Sequence, residues 1–474
     1  MKLKAPILFA ITTLAFAALA CQALSGGNSE NPSPVATESS TESTTNTTTD
    51  TSQPALAPAV SAKGPGIVCA GLRAGGISCL NENGWQTYTD ENSDLASSFI
   101  DAGTTCPDGR IAISHYDGVS LFDGNTWENI NSSNNYSSVN GIACDLNGNI
   151  WVAHYQGVSR YSNNAWNTYP SAELATGEFA NDLVYGVAAT STGMVWVATS
   201  RSVASFDGTT WTVYQQGSGF TEDVFFNAIT VDSLDRPWAG VSDGAYVFEN
   251  NVWKKVKRDG YDTPQAMSID ARGQIWLATL SNGVLAFNGN SWSGYNTDSK
   301  HLSSDHANGI AADTLGRVWV GTTYGLSVFD GSNWQTLRMD NSDLGDNYVK
   351  FVVATKDGPT LPELADKAKS GLTGSLNDTS NTPMPNMRVE ICVEPLTSSF
   401  DGETPCSDQP FFLRTQTDAN GVFTFTDVPA GYYVIVAETG DGSWAQLTDE
   451  FGIGSERTLL PAGQPYDIGP LTLQ

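Results

Sequence analysis

Between residues 64 and 358 the chain alternates short apolar runs with tight polar turns, and four kinds of run recur in a fixed order. The first is half polar, as in Val139-Asn-Gly-Ile-Ala-Cys-Asp145 and Asn308-Gly-Ile-Ala-Ala-Asp313. The second is apolar throughout: Asn149-Ile-Trp-Val-Ala153, Met194-Val-Trp-Val-Ala198, Gln274-Ile-Trp-Leu-Ala278 and Arg317-Val-Trp-Val-Gly321. The third reads Gly-Val-x-x-Phe, as from Gly118 to Phe122, or Gly-Leu-Ser-Val-Phe from Gly325 to Phe329. The fourth opens near a tryptophan. Short runs rich in Val, Ile and aromatics, punctuated by Asp-Gly and Asn-Gly, predict β strands joined by hairpin turns. Strands A to D therefore form one unit.

Trp85, Trp127, Trp166, Trp211, Trp253, Trp292 and Trp334 mark strand D at spacings of 42, 39, 45, 42, 39 and 42 residues. Four-stranded antiparallel units at this period point to a β-propeller. The first unit, from Gly66 to Tyr88, lacks strand A. The last strand, Tyr348 to Asp357, has the A pattern and no B after it. Joined together they give seven blades and remove the open sheet edge. The expected architecture is all-β: a seven-bladed propeller at 64–358, a linker at 359–370 with a short helix over Leu361 to Lys369, and a second domain at 371–474. The repeats resemble the two-component-regulator type of propeller found in ligand-binding sensors. That resemblance implies a sensor-like module and does not identify a ligand.

The second domain carries Thr417-Asp-Ala-Asn-Gly-Val-Phe-Thr-Phe425 followed by Pro429-Ala-Gly-Tyr-Tyr433. This resembles the carboxypeptidase-regulatory-like, transthyretin-type β-sandwich. The resemblance implies an accessory, non-catalytic domain.

The N-terminus changes the picture from a free domain to an exported one. Lys2 and Lys4 precede an apolar stretch from Ala5 to Ala20, too short for a confident membrane span and suited to a signal peptide over 1–20. Ala18-Leu-Ala-Cys21 resembles a bacterial lipobox, which implies lipidation of Cys21. Residues 21–63 are dominated by Ser, Thr, Asn and Pro and predict a disordered tether. Location in a bacterial cell envelope follows, with the domains outside the cytoplasm. The net charge of −28 argues against nucleic acid as a partner. Six cysteines remain after Cys21, an even number in an exported chain. The favoured pairs are Cys69–Cys79, Cys106–Cys144 and Cys392–Cys406.

The repeats serve as an internal alignment, so residues confined to one blade are the better functional candidates. Asp145-Leu-Asn-Gly-Asn149 alternates oxygen ligands as a calcium loop would, but its copies lose them, and the turn reads as structural. The D–A connections (131–138, 170–182, 215–224, 296–306 and 338–347) are longer than the A–B and C–D turns. In a propeller the D–A and B–C connections share one face, where binding is expected. On that face lie His115-Tyr116-Asp117 and His154-Tyr155-Gln156 in equivalent B–C connections, with Arg201, Asp243 and Tyr324 in others. The two His-Tyr pairs present donors and rings to a ligand, or are duplicate copies without a role. Lys254, Lys255, Lys257 and Arg258 form a basic cluster that reads as a solvated loop. No nucleophile elbow, phosphate loop or metal motif is present in the sequence, and no cofactor is expected.

The leading expectation is a non-catalytic, lipid-anchored module binding a ligand or a surface or periplasmic protein. Two alternatives stand beside it. One is an enzyme resembling the streptogramin lyases, which share a Gly-x-Ile-Trp-like repeat and use His and acidic residues at the channel mouth. The other is a structural or adhesive surface protein.

Overall fold

The computed structural model describes residues 66–132, 138–174, 183–220, 224–355, 358–394, 403–439, 442–447 and 457–473. The expected signal peptide, Cys21 and the tether lie outside them. So do parts of three long D–A connections: 133–137, 175–182 and 221–223. Among the described residues the secondary structure is almost entirely β, with one four-residue helix, Ser171–Leu174. No helix among them is long and apolar enough to cross a membrane.

Seven sheets of four antiparallel strands occupy residues 66–355. Sheet 1 is ordered Val349–Ala354, Val68–Leu72, Ile77–Asn81, Gly84–Tyr88, so the last strand pairs with the first. Sheets 2 to 7 are each contiguous in sequence: 100–131, 139–170, 184–214, 226–257, 264–295 and 307–337. Their A strands touch one another in cyclic order, and Val349–Ala354 lies between Ala307–Ala312 and Ile100–Thr105. The arrangement is propeller-like, with the A strands innermost.

The sequence pattern follows from this layering. B strands such as Ile150–His154 and Val318–Thr322 are buried at every residue, because both faces of a middle strand meet neighbouring sheets. D strands such as Ala165–Pro170 lie outermost and keep polar residues in water. Aromatic rings fill the space between sheets. Trp151 of sheet 3 stacks on Tyr169 at 5.9 Å and meets Phe206 and Trp211 of sheet 4 edge-on. Trp276, Tyr295, Phe329 and Trp334 repeat the cluster between sheets 6 and 7. Nearer the axis the sheets converge, and a Cβ on Gly309 would come within 2.6 Å of the Phe351 backbone. Only glycine fits there.

Residues 370–473 form two further sheets. One is ordered Val422–Val428, Ser370–Asn377, Tyr466–Thr472. The other is ordered Phe412–Gln416, Arg388–Cys392, Gly431–Glu438, Trp444–Gln446, with Thr458–Leu460 also paired to Gly431–Glu438. Leu372, Phe423, Phe425, Ile391, Tyr433 and Ile435 meet in a shared core.

The expected linker helix does not form. Residues 359–369 run without regular structure, and Pro359 and Pro362 deny the segment two backbone donors. Tertiary contacts hold it instead. Leu361 and Leu364 pack on the core of sheets 1 and 7. The N–H groups of Ala365 and Lys367 donate to the carbonyls of Asn341 and Asp340, and Arg317 donates to the carbonyl of Pro359 at 2.6 Å.

Disulfides join Cys69 to Cys79, Cys106 to Cys144, and Cys392 to Cys406. The first crosses the hairpin of sheet 1, at residues directly opposite in register. The second ties sheet 2 to sheet 3, and the third lies in the C-terminal unit.

Candidate binding face

Antiparallel order within each sheet puts the A–B and C–D turns at one end and the B–C and D–A connections at the other. The B–C turns explain the two histidines. In sheets 4, 6 and 7 the last residue of strand B is Thr199, Thr279 or Thr322, and its hydroxyl accepts a backbone N–H from the turn: Ser202 at 3.0 Å, Asn282 at 3.2 Å and Tyr324 at 3.1 Å. His154 takes the same role, its Nδ1 accepting from the N–H of Gln156 at 3.2 Å. That fixes the proton on Nε2, which reaches Ser159 Oγ at 2.9 Å. His115 sits equivalently in sheet 2, with Nε2 3.2 Å from Ser120 Oγ.

Both rings are buried, at 0% and 2% exposure. Burial lowers the pKa of His115 despite the nearby Asp117 carboxylate, and brings that of His154 down to about 4. His154 is therefore a turn cap, whereas the Nδ1 of His115 is buried without a partner, and neither ring is open to solvent. The neighbours differ: Tyr116 and Tyr155 are 42% and 58% exposed, and Asp117 and Gln156 are exposed beside them.

The other expected site residues scatter. Arg201 is half-buried and engaged. Asp243 is buried and pairs with Lys255 at 2.9 Å. Lys254 bonds Glu249 at 3.1 Å, so the basic cluster of sheet 5 is partly ion-paired. Tyr324 is covered by the C-terminal unit. Its ring stacks on Phe411 at 5.8 Å, and it belongs to that unit's core. Burial raises its pKa. The repeats could not reveal this contact, because its partner lies outside them.

A further set of residues was not singled out from the sequence. The A strands surround a cavity of about 500 Å³. In each one the pairing with strand B slips at the second residue, a β-bulge. A bulge re-aims a side chain and leaves it out of the ladder. The seven bulged residues are Asp101, Asn140, Tyr185, Asn227, Gln265, Asn308 and Lys350, and all line the cavity. They form a polar collar near the strand starts, on the B–C and D–A face. Deeper positions include small residues, among them Gly141, Gly186, Ala188 and Ala311. The signal was available: aligned repeats show a polar or tyrosine residue second in every A strand, where the flanking residues are mostly apolar or glycine.

Among the described residues the same face carries the exposed aromatics of the seven sheets. Phe99 (84%), Phe225 (60%) and Tyr261 (77%) lie just before A strands, alongside Tyr116 and Tyr155 in B–C turns. The opposite face exposes aliphatic residues, Leu146, Leu234 and Leu315 in A–B turns and Val252 by a C–D turn. Rings beside hydrogen-bonding groups are the usual makeup of a binding surface. Among the described residues no group of three or more His, Cys, Asp or Glu is placed to hold a metal ion.

No family model matches the chain, and no curated protein matches it. Solved structures with similar chain traces include virginiamycin B lyase from Staphylococcus aureus, at 16% identity and a TM-score of 0.46 over 56% of this chain and 91% of that one. The extracellular domain of BT4673 from B. thetaiotaomicron gives 12% identity and 0.43 over 85% and 55%. PorZ, a surface component of the type-IX secretion system of Porphyromonas gingivalis, gives 14% and 0.42 over 79% and 55%. At these identities and scores the likenesses say nothing of activity or ligand.

Proposed function

We propose that the chain is an exported, lipid-anchored, non-catalytic binding module whose seven sheets are the blades of one closed propeller. A ligand or a cell-envelope protein docks on the face shared by the B–C and D–A connections. The observation that carries this reading is the seven-membered polar collar on the face where the propeller's exposed aromatics gather. The disulfides support export. On this reading Cys21 bears the lipid, 21–63 is the tether, and residues 371–474 are an accessory β-sandwich fixed on the rim.

The lyase alternative would need an accessible histidine at the channel mouth, and the burial of His115 and His154 weighs against both in that role. The test of the binding reading is a ligand array probed with the full chain, repeated after Tyr116→Ala and Tyr155→Ala. A hit weakened by either substitution supports it. No hit, or turnover of a lactone, contradicts it. For the anchor, metabolic palmitate labelling is expected to vanish in Cys21→Ser, and labelling that persists rules out lipidation at that residue.

A further inference from the structure

The collar is not uniform. On one arc its side chains tie neighbouring sheets together. Asn308 Nδ2 donates to the carbonyl of Val349 at 2.9 Å, and Asn140 Nδ2 donates to that of Val184 at 2.7 Å. Lys350 donates to the carbonyl of Ile100 and sits 3.3 Å from the Asp101 carboxylate. Each tie runs to the first residue of the next A strand, so these residues have a structural task.

Tyr185, Asn227 and Gln265 come from three consecutive sheets, 4, 5 and 6. Among the described residues their side chains make no hydrogen bond, although they line the same cavity. They offer one hydroxyl and two amides, all neutral and all able to both donate and accept. Phe225 and Tyr261 stand exposed beside this arc, one and three residues before an A strand. Among the described residues the contacts of the C-terminal unit with the rim lie elsewhere than on Tyr185, Asn227 and Gln265. That unit touches Tyr324 of sheet 7 and Asp346 and Tyr348, which precede the closing strand.

The three collar groups of this arc carry no charge, and among the described residues several of the charges around it are already paired. Asp243 is paired with Lys255. Asp262 accepts from Thr263 N, Ser281 Oγ and Asn282 Nδ2. Arg201 is engaged. The cations from Lys254 to Arg258 belong to the outermost strand of sheet 5 and the residue after it. A charged ligand held by these three neutral groups would lose hydration without gaining a counter-ion from them.

We infer that Tyr185, Asn227 and Gln265 form the ligand-contacting arc of the channel mouth, and that this arc takes an uncharged molecule carrying hydrogen-bonding groups beside an apolar face. The inference rests on the binding reading above and narrows it. Sugars and amides both have this chemistry, and the test separates them.

The test is saturation-transfer NMR on the full chain with matched probes: phenyl β-glucoside against phenyl β-glucuronide, and N-acetylphenylalaninamide against N-acetylphenylalanine. The neutral member of at least one pair is expected to bind, and its charged partner is not. Asn227→Ala and Gln265→Ala should each weaken that binding about tenfold, the loss of one or two hydrogen bonds. Their melting temperatures should stay at the wild-type value, since no protein hydrogen bond is removed. Leu234→Ala, on the opposite face, should leave binding unchanged. Preference for a charged member overturns the ligand class. Binding that survives Asn227→Ala and Gln265→Ala yet falls in Tyr116→Ala overturns the arc and leaves the binding reading standing. If neither these probes nor the ligand array finds a binder, both fail.

Discussion

The indole N–H of Trp238 donates to Asp232 Oδ2 at 2.9 Å, from strand B back to the A–B turn six residues earlier. The same bond joins Trp151 to Asp145, Trp276 to Asp270 and Trp319 to Asp313, at 3.1, 3.2 and 3.1 Å. In each turn the other carboxylate oxygen accepts backbone N–H groups two and four residues on. One aspartate thus closes the turn and satisfies a buried indole. Asp145 thus has a scaffold task that its equivalents share.

Sheet 4 breaks the rule. Thr190 stands in place of aspartate, its hydroxyl bonds Met194, and the indole nitrogen of Trp196 is left without a partner. Thr190→Asp is expected to supply the missing acceptor and stabilise the fold by about 1 kcal/mol. Asp232→Ala should do the reverse. It removes one of the two carboxylates that meet the buried Arg236 guanidinium, leaving Glu249 at 2.9 Å, and the acceptor of the Trp238 indole, at a cost of about 1–3 kcal/mol. Denaturant melts of the two variants check both signs.

His154 gives a pH signature. Its folded pKa of about 4 lies below the ordinary value of 6.5, because burial disfavours the cation. The unfolded chain therefore takes up the proton first as pH falls. The stability this residue contributes is complete above pH 6.5 and declines between 6.5 and about 4. His154→Thr, the cap used in sheets 4, 6 and 7, should flatten that part of the stability curve while leaving neutral-pH stability nearly intact. An unchanged curve between pH 6.5 and 4 would show that the ring is not buried as described.

The strands were legible in the sequence because a repeat reports the same physics many times. A fully apolar B run can sit only between two neighbours, and the marker tryptophans recur because every sheet gap needs filling. The burial of the two histidines was not legible for a local reason. Their equivalents Thr199, Thr279 and Thr322 cap the turn, and only the hydrogen bonds show that the imidazole of His154 does the work of that hydroxyl. The collar depends on a slip in strand pairing, which composition does not record. Tyr324 and the strap at 359–369 depend on contacts outside the repeat, where no internal alignment helps.

Arg457 and Asp346 bind the C-terminal unit to the rim. The guanidinium meets the carboxylate with both terminal nitrogens, and the pair is 5% and 0% exposed. The Tyr348 and Tyr432 rings lie 5.7 and 5.2 Å from the guanidinium carbon. Asp346 also accepts from Ala74 N at 2.8 Å and Tyr348 N at 3.0 Å. Removing one partner of a buried pair costs about 3–5 kcal/mol. Arg457→Ala should therefore split one calorimetric transition into two and open the 359–370 strap to proteases. A single transition at the wild-type temperature would show that the pair does not hold the units together.

Cys106–Cys144 closes a loop with a sequence separation of 38 and cross-links two sheets. Loop-closure entropy gives it about 4 kcal/mol. The double variant Cys106→Ser/Cys144→Ser should lose roughly that much stability yet bind any array hit as before, because the bridge lies at the end of the A strands remote from the collar. Lost binding in a folded double variant would place the site elsewhere.

Hydrogen exchange of the full chain, with and without an array hit, reports directly which face binds. Protection is expected in the B–C turns around Tyr116 and Tyr155 and at the starts of the A strands around Tyr185, Asn227 and Gln265. Protection confined to the A–B turns around Leu146, Leu234 and Leu315, or to residues 371–474, would contradict binding on that face.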